Sequence, residues 1–393
     1  MKKVLFAAAL LLGLPLLPAC RRDAGASAPE PASANASLSL REVARMISAL
    51  PIQDEQLREV RDAVDASSGN GYDEEYTMHS LLSAPGSGVG DSPQARAEAQ
   101  VRYGVPLRSL IADYLASRPD SPLLSGFATR DGAADVQACL DALSESDIQI
   151  YWPYSEDWDG EQFPLVTFDP GFGAESNYAY EIRRSGDGLV VVDSVYVDEN
   201  VARTRPVWVI NRNDDSAFTP ASLVEPLAPG RSSSRAGSRT LLLRSVQMLR
   251  NYDSWFAGAS EFMIKIGSVR GFSASTEAEL GLYSPSVTDF TVVVRRKQLG
   301  EELPLQAVML SGFTNQLDKL AFLMTEDDGG TWTSWKCSAT VKVQSKSYGF
   351  EVDMPYRDKD DIVWRGQLDA SFFQSEDVVT GRFGDVVLRF ELD

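Results

Sequence analysis

Histidine and cysteine are scarce in this chain. It has a single histidine, His79, and three cysteines among 393 residues. A zinc site built from two or three imidazoles is therefore excluded, and any Ser-His-Asp or Cys-His catalytic group would have to include His79. His79 lies in a segment with helical spacing and without a nucleophile elbow, which favours a packing role. Gly-rich phosphate loops and Ser-x-x-Lys motifs are also absent from the sequence.

Positive charge is in deficit as well. The chain has 37 Lys and Arg against 56 Asp and Glu, a formal net charge of −19. Nucleic-acid binding needs clustered basic residues, so this class of partner is excluded. The small number of basic residues also argues against electrostatic binding to anionic lipid headgroups. Excess carboxylates favour a cationic partner, of which Ca²⁺ is the obvious one outside the cytoplasm.

The N-terminal apolar run is too short to span a bilayer stably, because a spanning helix needs ~20 residues. The run covers residues 4–17, follows two lysines and is broken by one glycine and one proline. It ends in Leu17-Pro18-Ala19-Cys20, which resembles a bacterial lipobox after a signal peptide of residues 1–19. Cleavage before Cys20 would leave diacylglycerol on its thiol and a fatty acid such as palmitate on its amine. The alternative is an ordinary cleaved signal in which Cys20 is incidental.

Several acyl chains on Cys20 would hold the protein at a membrane firmly. Arg21 follows the cysteine where an aspartate would retain enteric lipoproteins in the inner membrane. By that analogy, the expected location is the cell envelope, with the outer membrane favoured over the inner one.

The remainder divides into a stalk, a helical part and a β-rich part. Residues 20–37 lack large apolar side chains and predict a flexible stalk. Residues 38–147 open with a capping box, Ser39-x-x-Glu42, and carry apolar side chains at helical spacing, including a helix predicted over Asp54–Ser67. Short helices with one apolar face each predict a small helical bundle.

From residue 148 to residue 393 the apolar period becomes alternating, and Gly, Pro, Asn and Asp turns separate many strand-like segments. This pattern predicts a large, mostly antiparallel β-sandwich region, with a candidate boundary near residues 219–239. The predicted fold class is therefore α+β, a helical bundle followed by a β-sandwich region.

Two cysteines remain once Cys20 carries lipid. An oxidising compartment permits a disulfide between Cys139 and Cys337, which would join the two parts of the chain. The alternative, which we favour, is two buried thiols that act as small apolar residues.

Aromatic side chains are concentrated between residues 150 and 160, beside three carboxylates. The candidate ligand-binding rings are Tyr151, Trp152, Tyr154 and Trp158. Flat rings suit the apolar faces of sugars, so these residues predict a sugar-stacking surface. The alternative, which we favour, is packing of the rings where the helical and β-rich parts meet.

Acidic residues precede or end several strands in the second half of the chain. The candidate calcium ligands are Asp253, Glu261, Glu326, Asp327 and Asp328. Ca²⁺ takes six to eight oxygens from carboxylates and loop carbonyls, and loops at one end of a sandwich supply such groups. The alternative is that Asp-Asp-Gly-Gly forms an ordinary hairpin turn.

The segments around Trp152, over Asp253–Phe262 and over Glu326–Cys337 resemble those of uncharacterised Gram-negative envelope lipoproteins. The resemblance implies a location in the cell envelope and an N-terminal helical part followed by a β-rich part. It implies no catalytic residue. We therefore expect a lipid-anchored, non-catalytic binding or scaffolding module for a glycan or an envelope protein, stabilised by Ca²⁺. The alternative is a carboxylate-based glycoside hydrolase or a carbohydrate-binding lipoprotein.

Overall fold

The structure is a computed structural model. It describes residues 38–83, 103–127, 132–185, 188–213 and 238–393. The predicted signal peptide, the predicted stalk and nearly all of the candidate boundary at residues 219–239 lie outside the described residues. In the part of the chain that is described, no helix has the length and apolar character needed to cross a membrane.

The α-helices of the described residues are short and precede residue 203. They are α1 (Leu40–Ser48), α2 (Asp54–Gly69), α3 (Met78–Leu82), α4 (Leu107–Ser117), α5 (Val136–Ser144) and α6 (Glu199–Ala202). Helix α2 begins at the predicted residue and is capped by Gln56, whose side-chain oxygen accepts from the Gln53 amide at 2.8 Å. At α1 the predicted capping box does not close, because the Ser39 side chain makes no capping hydrogen bond.

A six-stranded mixed sheet lies among these helices. Its strands are β1 (Glu75–Thr77), β2 (Ile148–Tyr151), β3 (Leu165–Phe168), β4 (Ser176–Ser185), β5 (Gly188–Asp198) and β6 (Val207–Arg212). Their order is β1-β2-β6-β3-β4-β5, and the pair β3–β6 is parallel while the others are antiparallel.

The helices bury their apolar faces on this sheet. Helix α1 packs on β3, β4 and β6. Val43 and Ile47 of α1 share one core cluster with Ile150 of β2 and Trp208 of β6. The described residues therefore form a β-rich α+β structure, as predicted, whereas a separate N-terminal helical bundle is not confirmed.

The second half of the chain forms two antiparallel sheets. Their strands are β7 (Arg239–Met248), β8 (Ser260–Ser268), β9 (Ser286–Val294), β10 (Leu303–Phe313), β11 (Leu317–Glu326), β12 (Trp332–Val343), β13 (Lys346–Arg357), β14 (Asp361–Asp369), β15 (Val378–Phe383) and β16 (Val386–Leu392). One sheet has the order β10-β7-β16-β15, the other β13-β12-β11-β8-β9, and β14 pairs with β11.

The two sheets enclose one apolar core in the manner of a sandwich. Leu243 and Phe390 of the first sheet share a cluster with Ile264 and Phe322 of the second. The rings of Phe322 and Phe390 meet edge to face with centroids 6.1 Å apart. Alternating side chains supply this core, which is the pattern that the sequence predicts.

The segment between β7 and β8, residues 249–259, packs against the mixed sheet. Trp255 and Phe256 are fully buried in a cluster with Tyr151 of β2. Trp255 Nε1 donates to the Glu175 carbonyl at 3.0 Å, and Asn211 Nδ2 donates to the Phe256 carbonyl at 3.1 Å. Residues 38–393 thus form one compact unit. The predicted boundary at residue 148 falls inside it, between α5 and β2.

Cys139 and Cys337 are both free thiols in the structure, Cys139 buried and Cys337 partly buried. Each lies near a carbonyl oxygen, that of Leu123 at 3.8 Å and that of Val352 at 3.6 Å. Burial raises the pKa of each thiol to about 11. Both are therefore largely protonated at neutral pH.

Candidate functional site

Three of the five predicted calcium ligands come together at the junction of the mixed sheet and the sandwich. Asp253, Glu261 and Glu326 each place one carboxylate oxygen within 4.8 Å of the others. Glu261 is the second residue of β8 and Glu326 is the last of β11, and these strands are antiparallel neighbours. Asp253 reaches them from the segment between β7 and β8. Glu261 and Glu326 are only 3 % and 0 % exposed, so their carboxylates lie in the interior.

Burial sets the electrostatics of this cluster. It raises the pKa of Asp253, while a side-chain hydrogen bond with Glu326 and the positive charge of Arg296 oppose the shift and the negative charge of Asp73 adds to it. Desolvation penalises a carboxylate that lacks a compensating positive charge, which is why the shift has this direction. A cation placed among the three carboxylates would remove the penalty.

The other two predicted ligands lie differently. Asp327 points its Oδ1 at Arg357, 3.1 Å from Nη1, and accepts from the Gly329 amide at 2.9 Å. Asp328 interacts electrostatically with the cluster. Partial burial raises its pKa to about 6, and the negative charges of Asp253 and Asp361 add to the shift. Asp327 is therefore committed to an ion pair, and Asp328 lies at the periphery.

Asp73 and Glu74 belong to the same acidic region and are missing from the sequence-based prediction. They precede β1 and are 3 % and 1 % exposed. Asp73 Oδ2 accepts from the Ala259 amide at 2.9 Å, and Glu74 Oε1 lies 3.6 Å from Arg295 Nη1. Burial raises the pKa of both. The only signal in the sequence is an acidic run beside two tyrosines, which does not indicate a partner so distant in the chain.

Arg296 is a third residue that sequence analysis missed. Its side chain is 5 % exposed and donates to the carbonyl oxygens of Asp253 at 2.7 Å and of Gly258 at 3.1 Å. Its third nitrogen lies 3.4 Å from Glu199. Arg296 therefore positions the backbone that carries Asp253, and its hydrogen bonds go to that backbone and to Glu199.

The predicted aromatic residues do not form an open surface. Tyr151, Trp152 and Tyr154 are 0 %, 1 % and 7 % exposed, and Trp158 is partly exposed. The indole of Trp152 meets those of Trp158 and Trp208 edge to face, at 5.3 and 5.8 Å. Tyr151 lies in the cluster on the other face of the sheet.

Three of these rings nevertheless line a pocket. Trp152, Tyr154 and Trp158 face a cavity of about 140 Å³ whose opposite wall is the turn at residues 202–206. None of the clustered carboxylates lines this pocket. The carboxylate cluster and the aromatic pocket are thus separate features.

His79 has a structural environment. It lies on α3 and its Nδ1 is 3.2 Å from the Ser144 carbonyl oxygen, next to the end of α5. It is partly buried, in agreement with the packing role expected from its sequence context.

Comparison with protein-family models, with curated proteins and with solved structures gives no match to this chain. No activity, ligand or partner is transferred to it from a relative.

Proposed function

We propose that this protein is a lipid-anchored cell-envelope protein that acts by binding rather than by catalysis. The observation that carries the proposal is Leu17-Pro18-Ala19-Cys20 after a charged and then apolar leader. Acylation of Cys20 would attach the protein to the outer membrane, and residues 20–37 would separate the anchor from the compact unit that starts at residue 38. The expected partners are a glycan or an envelope protein.

The absence of catalytic motifs supports a binding role. The single histidine contacts a main-chain carbonyl and has a packing environment. A glycoside hydrolase would need an acidic pair that faces an aromatic-lined cleft. The clustered carboxylates Asp253, Glu261 and Glu326 lie outside the aromatic pocket. The two carboxylates that do line it, Asp157 and Asp159, are held by Lys297 and by two backbone amides, which disfavours a protonated general acid there.

Metabolic labelling with palmitate tests the anchor. We expect the wild type and a Cys337→Ser control to incorporate label and to sediment with membranes. Cys20→Ser should be unlabelled and should lose its membrane association. Cys337 is a suitable control because it is also a free thiol. Equal labelling and sedimentation of Cys20→Ser and the wild type would overturn the proposal.

A second proposed property is stabilisation by Ca²⁺, which the carboxylates of Asp253, Glu261 and Glu326 favour because one oxygen of each lies within 4.8 Å of the others. Carboxylates are the hard oxygen ligands that Ca²⁺ prefers, and main-chain carbonyls would have to complete a set of six to eight. Neutralising buried negative charge would add to the stability of the folded state.

Thermal melting of the full chain in detergent tests this property. Binding to the native state at 100 times Kd adds about 2.7 kcal/mol, so millimolar Ca²⁺ should raise the Tm measurably over EDTA. Glu326→Gln should abolish the shift, whereas Glu351→Gln, a substitution of a carboxylate that is 76 % exposed, should preserve it. An unchanged Tm at millimolar Ca²⁺ would contradict calcium binding.

A further inference from the structure

The pocket beside Trp158 has two walls from different parts of the mixed-sheet region. One wall is the segment from Trp152 to Gln162, which connects β2 to β3. The other is the turn at residues 202–206, which connects α6 to β6. Both walls are anchored by neighbouring strands of one sheet, because β6 pairs with β2 and with β3.

The first wall is held in place by its own hydrogen bonds. Trp158 Nε1 donates to the Gln162 carbonyl at 2.8 Å, and Asp159 Oδ1 accepts from the Gln162 amide at 3.0 Å. Tyr154 has a left-handed backbone with φ of 59°, which is unusual for an aromatic residue, and its hydroxyl donates to Glu199 at 2.6 Å. The pocket is therefore preformed, which lowers the entropic cost of binding.

Each basic residue of the pocket already has an acidic partner. Arg203 lies 3.1 Å from Glu199, and Arg205 lies 3.2 Å from Glu181. A ligand carboxylate or phosphate would have to compete with these carboxylates for the two guanidinium groups.

The two carboxylates that line the pocket, Asp157 and Asp159, also have partners. Asp157 lies 2.6 Å from Lys297. Asp159 is stabilised as an anion by two backbone amides, which lower its pKa. A ligand ammonium would gain little, because Asp157 already has Lys297 beside it and Asp159 is exposed to solvent, where an ion pair is weak. The pocket therefore favours a neutral, polar ligand.

We propose that this pocket binds one neutral sugar unit, such as the terminal hexose of an envelope glycan. A cavity of about 140 Å³ admits a single small ring. Trp158 lines the pocket, and an indole ring can pack against the C–H groups of a sugar. The polar groups of Arg205 and Asp159 suit sugar hydroxyls, since a hydroxyl can both donate and accept while Arg205 keeps its contact with Glu181. The inference rests on the proposed binding role and specifies its ligand.

Calorimetric titration of the full chain tests it, in a detergent without a sugar headgroup. The probes are methyl glycosides of neutral hexoses, with glucuronate and glycine as charged and zwitterionic counterparts. We expect saturable binding of at least one neutral glycoside and weaker binding of both counterparts. Trp158→Ala should weaken binding roughly tenfold. Trp332→Ala, which removes a ring that is 59 % exposed on β12, should leave Kd unchanged.

Footprinting of the wild type gives a readout that does not depend on a folded variant. A bound glycoside should lower hydroxyl-radical oxidation of Trp158 relative to Trp332, which corrects for scavenging by the sugar. An equal change in the oxidation of the two indoles on adding glycoside, tighter binding of a charged probe, or no binding of any neutral glycoside would overturn the inference. Intact palmitate labelling in the same preparation would show that the lipid anchor itself is unaffected by that failure.

Discussion

The carboxylate of Asp73 accepts a hydrogen bond from the backbone amide of Ala259, 186 residues later in the chain, at 2.9 Å. Asp73 precedes the first strand of the mixed sheet, and Ala259 precedes β8 of the sandwich. The neighbouring Gly258 has φ of 142°, and a Cβ there would lie 2.8 Å from Asp73 Oδ2. Glycine at this position thus permits the close approach, and the contact joins the two halves of the compact unit.

Replacing Asp73 by alanine should destabilise the protein by about 1–3 kcal/mol, because the buried Ala259 amide would lose its acceptor. Urea denaturation measures the change. Asp120→Ala, at an exposed position after α4, should alter stability by less than about 0.5 kcal/mol. If the two variants were equally stable, the contact would have no structural role.

Local patterns in the sequence predicted the helices and strands better than the elements against which they pack. Helix α2 begins at Asp54 as its spacing indicates, and the strands of the sandwich follow the alternating segments. The parallel pairing of β3 with β6 was not predictable, because periodicity identifies the buried face of an element and not the element that covers it. For the same reason the apolar helical faces suggested a bundle, although they cover a sheet.

The carboxylate cluster, too, could be predicted only in part from the sequence. Asp253, Glu261 and Glu326 could be proposed from acidic residues near strand ends, since adjacent strands bring their ends together. Asp73 and Arg296 could not, because each acts through main-chain groups of residues 253–259, which carry no side-chain pattern.

Glu59 should make stability depend on pH. Burial raises its pKa from the usual 4.5 to about 6, although the Leu107 amide and the Tyr76 hydroxyl favour its charged form. The folded state therefore holds the proton more tightly than the unfolded chain. The stability that Glu59 contributes is greatest below pH 4.5 and declines as the pH rises towards 6.

Differential scanning calorimetry between pH 4.5 and 6.5, in EDTA, measures this dependence. Glu59→Gln should flatten the decline in Tm over this interval. Glu145→Gln, at an exposed position after α5, should retain the wild-type slope. An identical slope for wild type and Glu59→Gln would rule out the buried carboxyl as its source.

Gly267 of β8 should resist substitution because β13 packs directly over it. A Cβ at this position would lie 2.6 Å from Val352 Cγ1 and 3.2 Å from Ala321 Cβ. Gly267→Ala should therefore cost about 1–3 kcal/mol, as overpacking does. The control is Gly349→Ala on β13, where the nearest atom to an added Cβ is 4.0 Å away.

A double-mutant cycle tests whether Val352 is the cause. In a Val352→Ala background, Gly267→Ala should cost clearly less than it does in the wild type, because the clashing methyl group is gone. Urea denaturation of the wild type, the two single variants and the double variant gives the coupling free energy between positions 267 and 352. The same cost in both backgrounds would assign the penalty to Ala321 or to the backbone.

Trp208 combines complete burial with an unsatisfied donor. Its side chain is 0 % exposed, and its Nε1 has no hydrogen-bond partner among the described residues. Trp208→Ala should cost about 3–5 kcal/mol through lost packing against Trp152 and the cavity left behind. Trp208→Phe keeps a ring and removes the donor, so it should cost less than half as much, as measured by urea denaturation. Equal costs for the two variants would mean that the ring kept in Trp208→Phe contributes nothing to packing. Trp332→Ala and Trp332→Phe, at an exposed indole, should differ from each other by less than about 1 kcal/mol.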